Sequence, residues 1–178
     1  MSQLTEIRWH ARAGQGAKTA AQTLALALLA EGKSVQAFPE YGPERRGAPL
    51  RAFTRISDTP IRRHDGVTEP GLVVVLEPSL VHETDVTEGL LSGGAVLINA
   101  DERPAELAAG DVHCIPADRI AADHNLAFAN IAMLGAVAAW LGAPSLEHLQ
   151  DAAVRTLGAK ASNADVRAAV AEGYAWPR

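Results

Sequence analysis

The segment that most constrains this chain is Leu72-Val73-Val74-Val75-Leu76, an unbroken β-favouring run with Gly71 before it and Pro78 shortly after. A strand with one wet face alternates apolar and polar side chains. A short continuous apolar run therefore belongs to a strand covered on both faces, as at the centre of a parallel sheet. Ala95 to Asn99 repeats the pattern after Gly93-Gly94, and Val112 to Pro116 is a shorter third copy. Strands of this kind need material above and below them, which points to a layered α/β domain.

The N-terminal third supplies the rest of the sheet. Glu6 to His10 alternates like a short strand and runs through Ala11-Arg12-Ala13-Gly14-Gln15-Gly16 into the Ala/Leu-rich, helix-favouring stretch Ala17 to Ala30. Gly32 stands where a helix-ending glycine belongs, and Ser34 to Phe38 reads as a strand, completing a Rossmann-like βαβ start. Pro39 to Pro49 holds two Gly, three Pro and the charged trio Glu44, Arg45 and Arg46, a composition that predicts an exposed loop. Leu50 to Ser57 sets Arg51, Phe53 and Arg55 against Ala52, Thr54 and Ile56, the period of a strand with two different faces. From Ala117 the composition turns helical, over Leu126 to Leu141, Ser145 to Leu157 with Ser145 as N-cap, and Asn163 to Glu172. The expectation is a single three-layer α/β domain over residues 1–178, with a largely parallel central sheet and a helical C-terminal third.

Composition narrows the chemistry. Only 4% of the residues are aromatic although 48% are hydrophobic, so Ala, Val and Leu must fill the core. A net charge of -5 argues against a general nucleic-acid binder, which needs a clustered basic face. The single Cys114 rules out an internal disulfide, a Cys-based zinc finger and an all-Cys iron–sulfur site within the chain. The N-terminus lacks a basic segment followed by an apolar run, which predicts a cytoplasmic protein. Asn125 to Pro144 is uncharged but dominated by Ala and broken by Asn130, so it reads as a buried helix and not a membrane span. The histidines lack zinc-ligand spacing, and no Gly-x-Ser-x-Gly elbow is present.

Three features could carry function. The Gly14-Gln15-Gly16 turn precedes a helix, where backbone N–H groups and the positive helix end can hold a phosphate; equally, the glycines could only permit a tight turn. The spacing departs from both the dinucleotide fingerprint and the phosphate loop of ATPases, although Lys18-Thr19 resembles part of the latter. Glu44-Arg45-Arg46 could clamp phosphate or bridge subunits, or form a solvated charged turn. Asn130, inside an apolar helix, is either a satisfied core amide or a polar contact to a ligand or subunit.

Two of these segments also resemble a known family. Ile7 to Gly16 is similar to the opening strand and Gly-Gln-Gly turn of the gamma subunits of 2-oxoacid:ferredoxin oxidoreductases, the pyruvate:ferredoxin oxidoreductase family. Ala37 to Ser57 resembles that family's long Gly-Pro-Glu-Arg-Arg-Gly-Ala-Pro loop and the strand after it almost throughout. Glu69-Pro70, Glu77-Pro78-Ser79-Leu80, and Asn130 with Met133-Leu134-Gly135 extend the likeness over most of the chain. Ala11 and Ala13 stand where the family commonly has glycine, and their methyl groups would narrow or reshape a pocket there.

The resemblance implies a complex that oxidatively decarboxylates a 2-oxoacid, pyruvate-like or an aryl-oxoacid such as phenylglyoxylate, to an acyl-CoA. It implies thiamine-binding alpha and beta subunits carrying thiamine diphosphate with magnesium, and a ferredoxin-like subunit carrying iron–sulfur clusters. This chain would pack on the thiamine-binding subunits and help enclose CoA, with no activity of its own. By the same resemblance Arg12, Gly14, Gln15, Gly16, Lys18 and Asn130 are the expected CoA contacts, and Glu44, Arg45 and Arg46 order the subunit junction or the active-site entrance. The alternative from another class is a free-standing CoA- or nucleotide-binding module.

Overall fold

The computed structural model describes residues 4–40, 47–107 and 110–176. Strand β1 (Thr5–Arg12) leads through the glycine turn into helix α1 (Ala17–Ala30), and β2 (Ser34–Pro39) follows. Then come β3 (Pro49–Ser57), β4 (Leu72–Val75), β5 (Ala95–Asn99) and β6 (Asp111–Ile115). Helices α2 (Ala117–Asp123), α3 (Asn130–Leu141), α4 (Leu146–Leu157) and α5 (Asn163–Tyr174) form the C-terminal part.

The six strands make one sheet in the order β2-β3-β1-β4-β5-β6. The pairs from β1 through β4 and β5 to β6 are parallel, and β4 is the central, doubly covered strand that its apolar run predicts. The sheet is mixed, because β3 runs antiparallel to both of its neighbours. The expected βαβ start is therefore split. Strand β2 does not pair with β1; the chain turns back after Pro39, and β3 inserts between them with Glu6 opposite Arg55, Arg8 opposite Phe53 and His10 opposite Arg51.

One face of the sheet packs on the helices. Ile7, Trp9, Ala52, Leu72, Val74 and Leu97 meet α1 and α3, with α4 and α5 stacked behind. Small residues allow backbones to touch: a Cβ on Gly135 of α3 would lie 2.2 Å from the Val170 carbonyl of α5, and one on Gly173 of α5 2.0 Å from the Ala132 carbonyl. The other face carries Val73, Val75, Val96 and Ile98 beneath Leu80, Val81, Val86 and Leu107. Its cover consists of loops and single 3-10 turns at Pro78–His82 and Ala105–Leu107, and no α-helix among the described residues lies in this layer.

Helix α3 starts at Asn130, later than the predicted Leu126, because Asn125 takes a left-handed conformation (φ 54) that ends α2 and starts a turn. Ser145 caps α4 as predicted, its Oγ accepting from the His148 N–H. No helix among the described residues is long and apolar enough to cross a membrane.

Candidate cofactor site at the carboxyl end of the sheet

Strands β1, β4 and β5 point the same way, and open α/β sheets bind ligands in the crevice beyond the carboxyl ends of such strands. At that edge β1 passes into Gly14 (φ 105) and Gly16 (φ 85), both in the left-handed region that glycine tolerates. Gly16 is also crowded, since a Cβ there would sit 2.5 Å from Asn130 Nδ2 and displace that side chain. Gly14 is exposed, and a Cβ on it would touch nothing within 4 Å.

Gln15 fixes the turn at two points. Its Oε1 accepts from the Arg12 backbone N–H at 2.7 Å, and its Nε2 donates to Glu77 Oε2 at 2.7 Å. Glu77, just past β4, accepts from the Ser79 hydroxyl at 2.7 Å and the Ser79 backbone N–H at 3.2 Å. Arg12 closes the circuit by donating from Nη2 to Ser79 Oγ at 3.0 Å and to the Glu83 carboxylate. Burial pushes the Glu77 carboxyl up, but hydrogen bonds from Ser79 and Gln15, with Arg12 nearby, more than offset this and hold it below its ordinary value. Glu77 is thus an ionised anchor between the ends of β1 and β4. No reading of the sequence singled it out as a site residue, although an acidic residue before Pro-Ser at a strand end is an N-cap signal.

The structure brings Arg12, Gly14, Gln15, Gly16, Lys18 and Asn130 together, and gives them different tasks. Asn130 donates from Nδ2 to the Gly16 carbonyl at 3.3 Å, joining the start of α3 to the turn. Arg12, Gln15 and Asn130 are engaged in internal bonds, whereas Lys18 is exposed and has no partner among the described residues. Helix α1 begins with no side-chain cap and no acidic residue in its first turn, so its first N–H groups and its positive end are open to an anion. Glu44, Arg45 and Arg46 lie outside the described residues. The end of their loop is tied to the turn: Ala13 N donates to the Ala48 carbonyl at 2.9 Å, Gly47 N to the Ala13 carbonyl at 3.4 Å, and Arg12 Nη1 to the Gly47 carbonyl at 3.3 Å.

A second polar set lies on the face of β1 and β3 turned away from the helices, where sequence reasoning placed no function. Arg55 is fully buried, its Nε donating to Glu6 at 2.7 Å. Arg8, only 2% exposed, donates from Nε to His10 Nε2 at 3.0 Å. His10 is held neutral: burial, then the nearby Arg8 and Arg51 guanidinium groups, push its pKa down to about 3. Charged residues alternating in a strand read as a wet face, so the sequence carried no sign that these are buried.

Comparison with known proteins extends over nearly the whole chain. Residues 6–176 match the family described as pyruvate ferredoxin/flavodoxin oxidoreductase. The common gamma subunit of the pyruvate/ketoisovalerate oxidoreductases of Thermococcus kodakarensis is 45% identical over 173 residues, covering 93% of this chain and 94% of that one. Pyruvate synthase subunit PorC of Methanothermobacter marburgensis is 45% identical over 168 residues, again covering 93% and 94%. The crystal structure of the pyruvate oxidoreductase subunit PORC of Thermotoga maritima superposes with a TM-score of 0.83 at 35% identity, covering 96% of this chain and 95% of that chain.

Proposed function

This chain belongs to the pyruvate ferredoxin/flavodoxin oxidoreductase family, as a gamma-type subunit of a 2-oxoacid:ferredoxin oxidoreductase, and on that premise we propose that its glycine turn helps hold CoA in the assembled enzyme. The observation that carries this reading is the uncapped start of α1, where open backbone N–H groups stand beside the exposed glycine Gly14 and Lys18, which has no partner among the described residues. In this role the phosphates of CoA meet the N–H groups behind Gly16 and the Lys18 ammonium. Arg12, Gln15 and Asn130 hold the turn in the shape that presents them. CoA itself supplies the thiol that accepts the acyl group.

The remaining chemistry belongs, in this proposal, to partner chains. Thiamine-binding alpha and beta subunits carry thiamine diphosphate with magnesium, and a ferredoxin-like subunit carries the iron–sulfur clusters. The lone Cys114 of this chain suits that division. The substrate we propose is pyruvate or a branched-chain 2-oxoacid, as in the names of the relatives, ahead of an aryl acid such as phenylglyoxylate. The Glu44-Arg45-Arg46 segment is proposed to order the subunit junction, supported by the bonds that tie its far end to Ala13 and Arg12.

Lys18→Ala in the reconstituted complex tests the CoA reading. Loss of one charged contact to phosphate should raise the KM for CoA about tenfold with kcat and the 2-oxoacid KM unchanged. An unchanged KM for CoA would remove the turn from the CoA site.

A further inference from the structure

Arg8 is a buried cation that makes no ion pair among the described residues. Its Nε–H goes to the neutral His10 ring, and its Nη2 donates to the Val86 and Glu88 carbonyls at 3.0 and 2.5 Å. No carboxylate among the described residues lies within ion-pair distance of it, whereas the buried Arg55 on the same face is paired with Glu6. Burial of a guanidinium is costly, and its pKa is lowered, first by burial and then by Arg51, while the Glu88, Asp85 and Glu40 carboxylates act in the opposite direction.

The Nη1 of Arg8 makes no hydrogen bond among the described residues. Because no fully buried side-chain nitrogen there lacks a partner, Nη1 is an atom that keeps access to solvent. Arg8 lines a cleft of ≈ 370 Å³ together with Arg51, Phe53 and Thr68, with Glu40 and Glu88 also in its wall. Arg51 stands opposite His10 and Arg8 opposite Phe53, so the two arginines are diagonal neighbours in the sheet, roughly 7–8 Å apart. Glu40 takes the Nε and Nη2 of Arg51, and Nη1 of that arginine likewise makes no hydrogen bond among the described residues. The buried Phe53, 3% exposed, lines the same cleft and stands opposite Arg8 in the sheet.

We propose that this cleft binds a monocarboxylate on a short apolar stem, its oxygens taken by Nη1 of Arg8 and Nη1 of Arg51 and its stem lying on the Phe53 ring. Glu40 and Glu88 in the wall oppose an anion in proportion to its charge, which favours a monoanion over a dianion, and Phe53 gives the lining an apolar surface for the stem. A free small acid and an Asp or Glu side chain inserted by a neighbouring subunit share this chemistry. The inference does not rest on the CoA reading, because the cleft is on a different part of the molecule from the Gly14–Gly16 turn.

The test is thermal unfolding of the full chain while sodium acetate replaces sodium chloride at constant ionic strength, followed by arginine side-chain NMR. The native chain should be stabilised by acetate with half-saturation on the order of millimolar, by about 3–5 °C at ten times that concentration. The Arg8 Nε–H resonance should shift along the same curve. Arg8→Met should abolish the acetate response and Arg51→Gln should weaken it severalfold. Should Arg8→Met fail to fold, the resonance shift in the native chain and the Arg51→Gln comparison still decide. An absent response in the native chain, or equal responses in native and variant chains, would overturn the proposal. Repeating the titration on the assembled complex separates the sources: a retained acetate effect means a free acid, and its loss means a partner side chain already in the cleft.

Discussion

Replacing His10 by Gln should change how the stability of this chain depends on pH, and the size of the change follows from the structure. His10 accepts the Arg8 Nε–H at 3.0 Å and is buried, so protonation would place two cations side by side in a dry environment. Its pKa falls from the ordinary 6.5 to about 3 in the folded chain. Below pH 6.5 the unfolded chain takes up a proton that the folded chain refuses. The stabilisation is therefore complete above about pH 6.5 and is lost progressively as pH falls toward 3. Between pH 7 and 4.5 the loss amounts to about 2.5 kcal/mol, at roughly 1.4 kcal/mol for each pH step across which only the unfolded chain holds the proton. Gln offers Arg8 an amide oxygen and does not titrate. Thermal unfolding across that range should show the native chain losing about 5–10 °C more than His10→Gln. Parallel pH profiles for the two proteins would refute the claim that a neutral, buried His10 is what Arg8 bonds to.

Two further predictions concern glycines. Gly14→Ala should cost about 1 kcal/mol by urea unfolding, from its left-handed backbone alone, whereas Gly16→Ala should cost at least 1 kcal/mol more because its Cβ meets Asn130, and Asn130→Ala should recover part of that difference. Gly135→Ala forces α3 away from the Val170 carbonyl of α5 and should destabilise by more than 3 kcal/mol in the same assay, with near-wild-type stability refuting the close crossing.

The β4 run, the helical C-terminal third and the glycine turn were legible because each rests on local pattern: an apolar run, helix-favouring composition, and Gly next to a helix start. The position of β3 was not. Nothing in Leu50 to Ser57 says which strand it will join, since order in a sheet is decided by which neighbours it covers and how the chain returns. The candidate site was half legible. Gly14 and Gly16 form the turn before α1 that the local pattern suggested, but the tie from Gln15 to Glu77 spans 62 residues, beyond the reach of any local signal. The irregular layer over the second face escaped notice for a related reason: loop residues such as Leu80, Val86 and Leu107 carry no periodicity, yet they bury Val73 and Ile98 as a helix would.

The alternating rows of β1 and β3 also act as an index for assembling the sheet. A slip of β3 by one residue would turn Arg51 and Arg55 into the helix-side core, where Ala52 and Thr54 now lie. A slip by two would set Arg51 or Arg55 directly opposite Arg8, guanidinium facing guanidinium in a buried layer, and would part Arg55 from Glu6. Only the native pairing puts an aromatic ring opposite Arg8 and an acid opposite Arg55. The strand inserted between two others joined by α1 thus carries its own alignment marks, and misaligned sheets are disfavoured by charge as well as by packing.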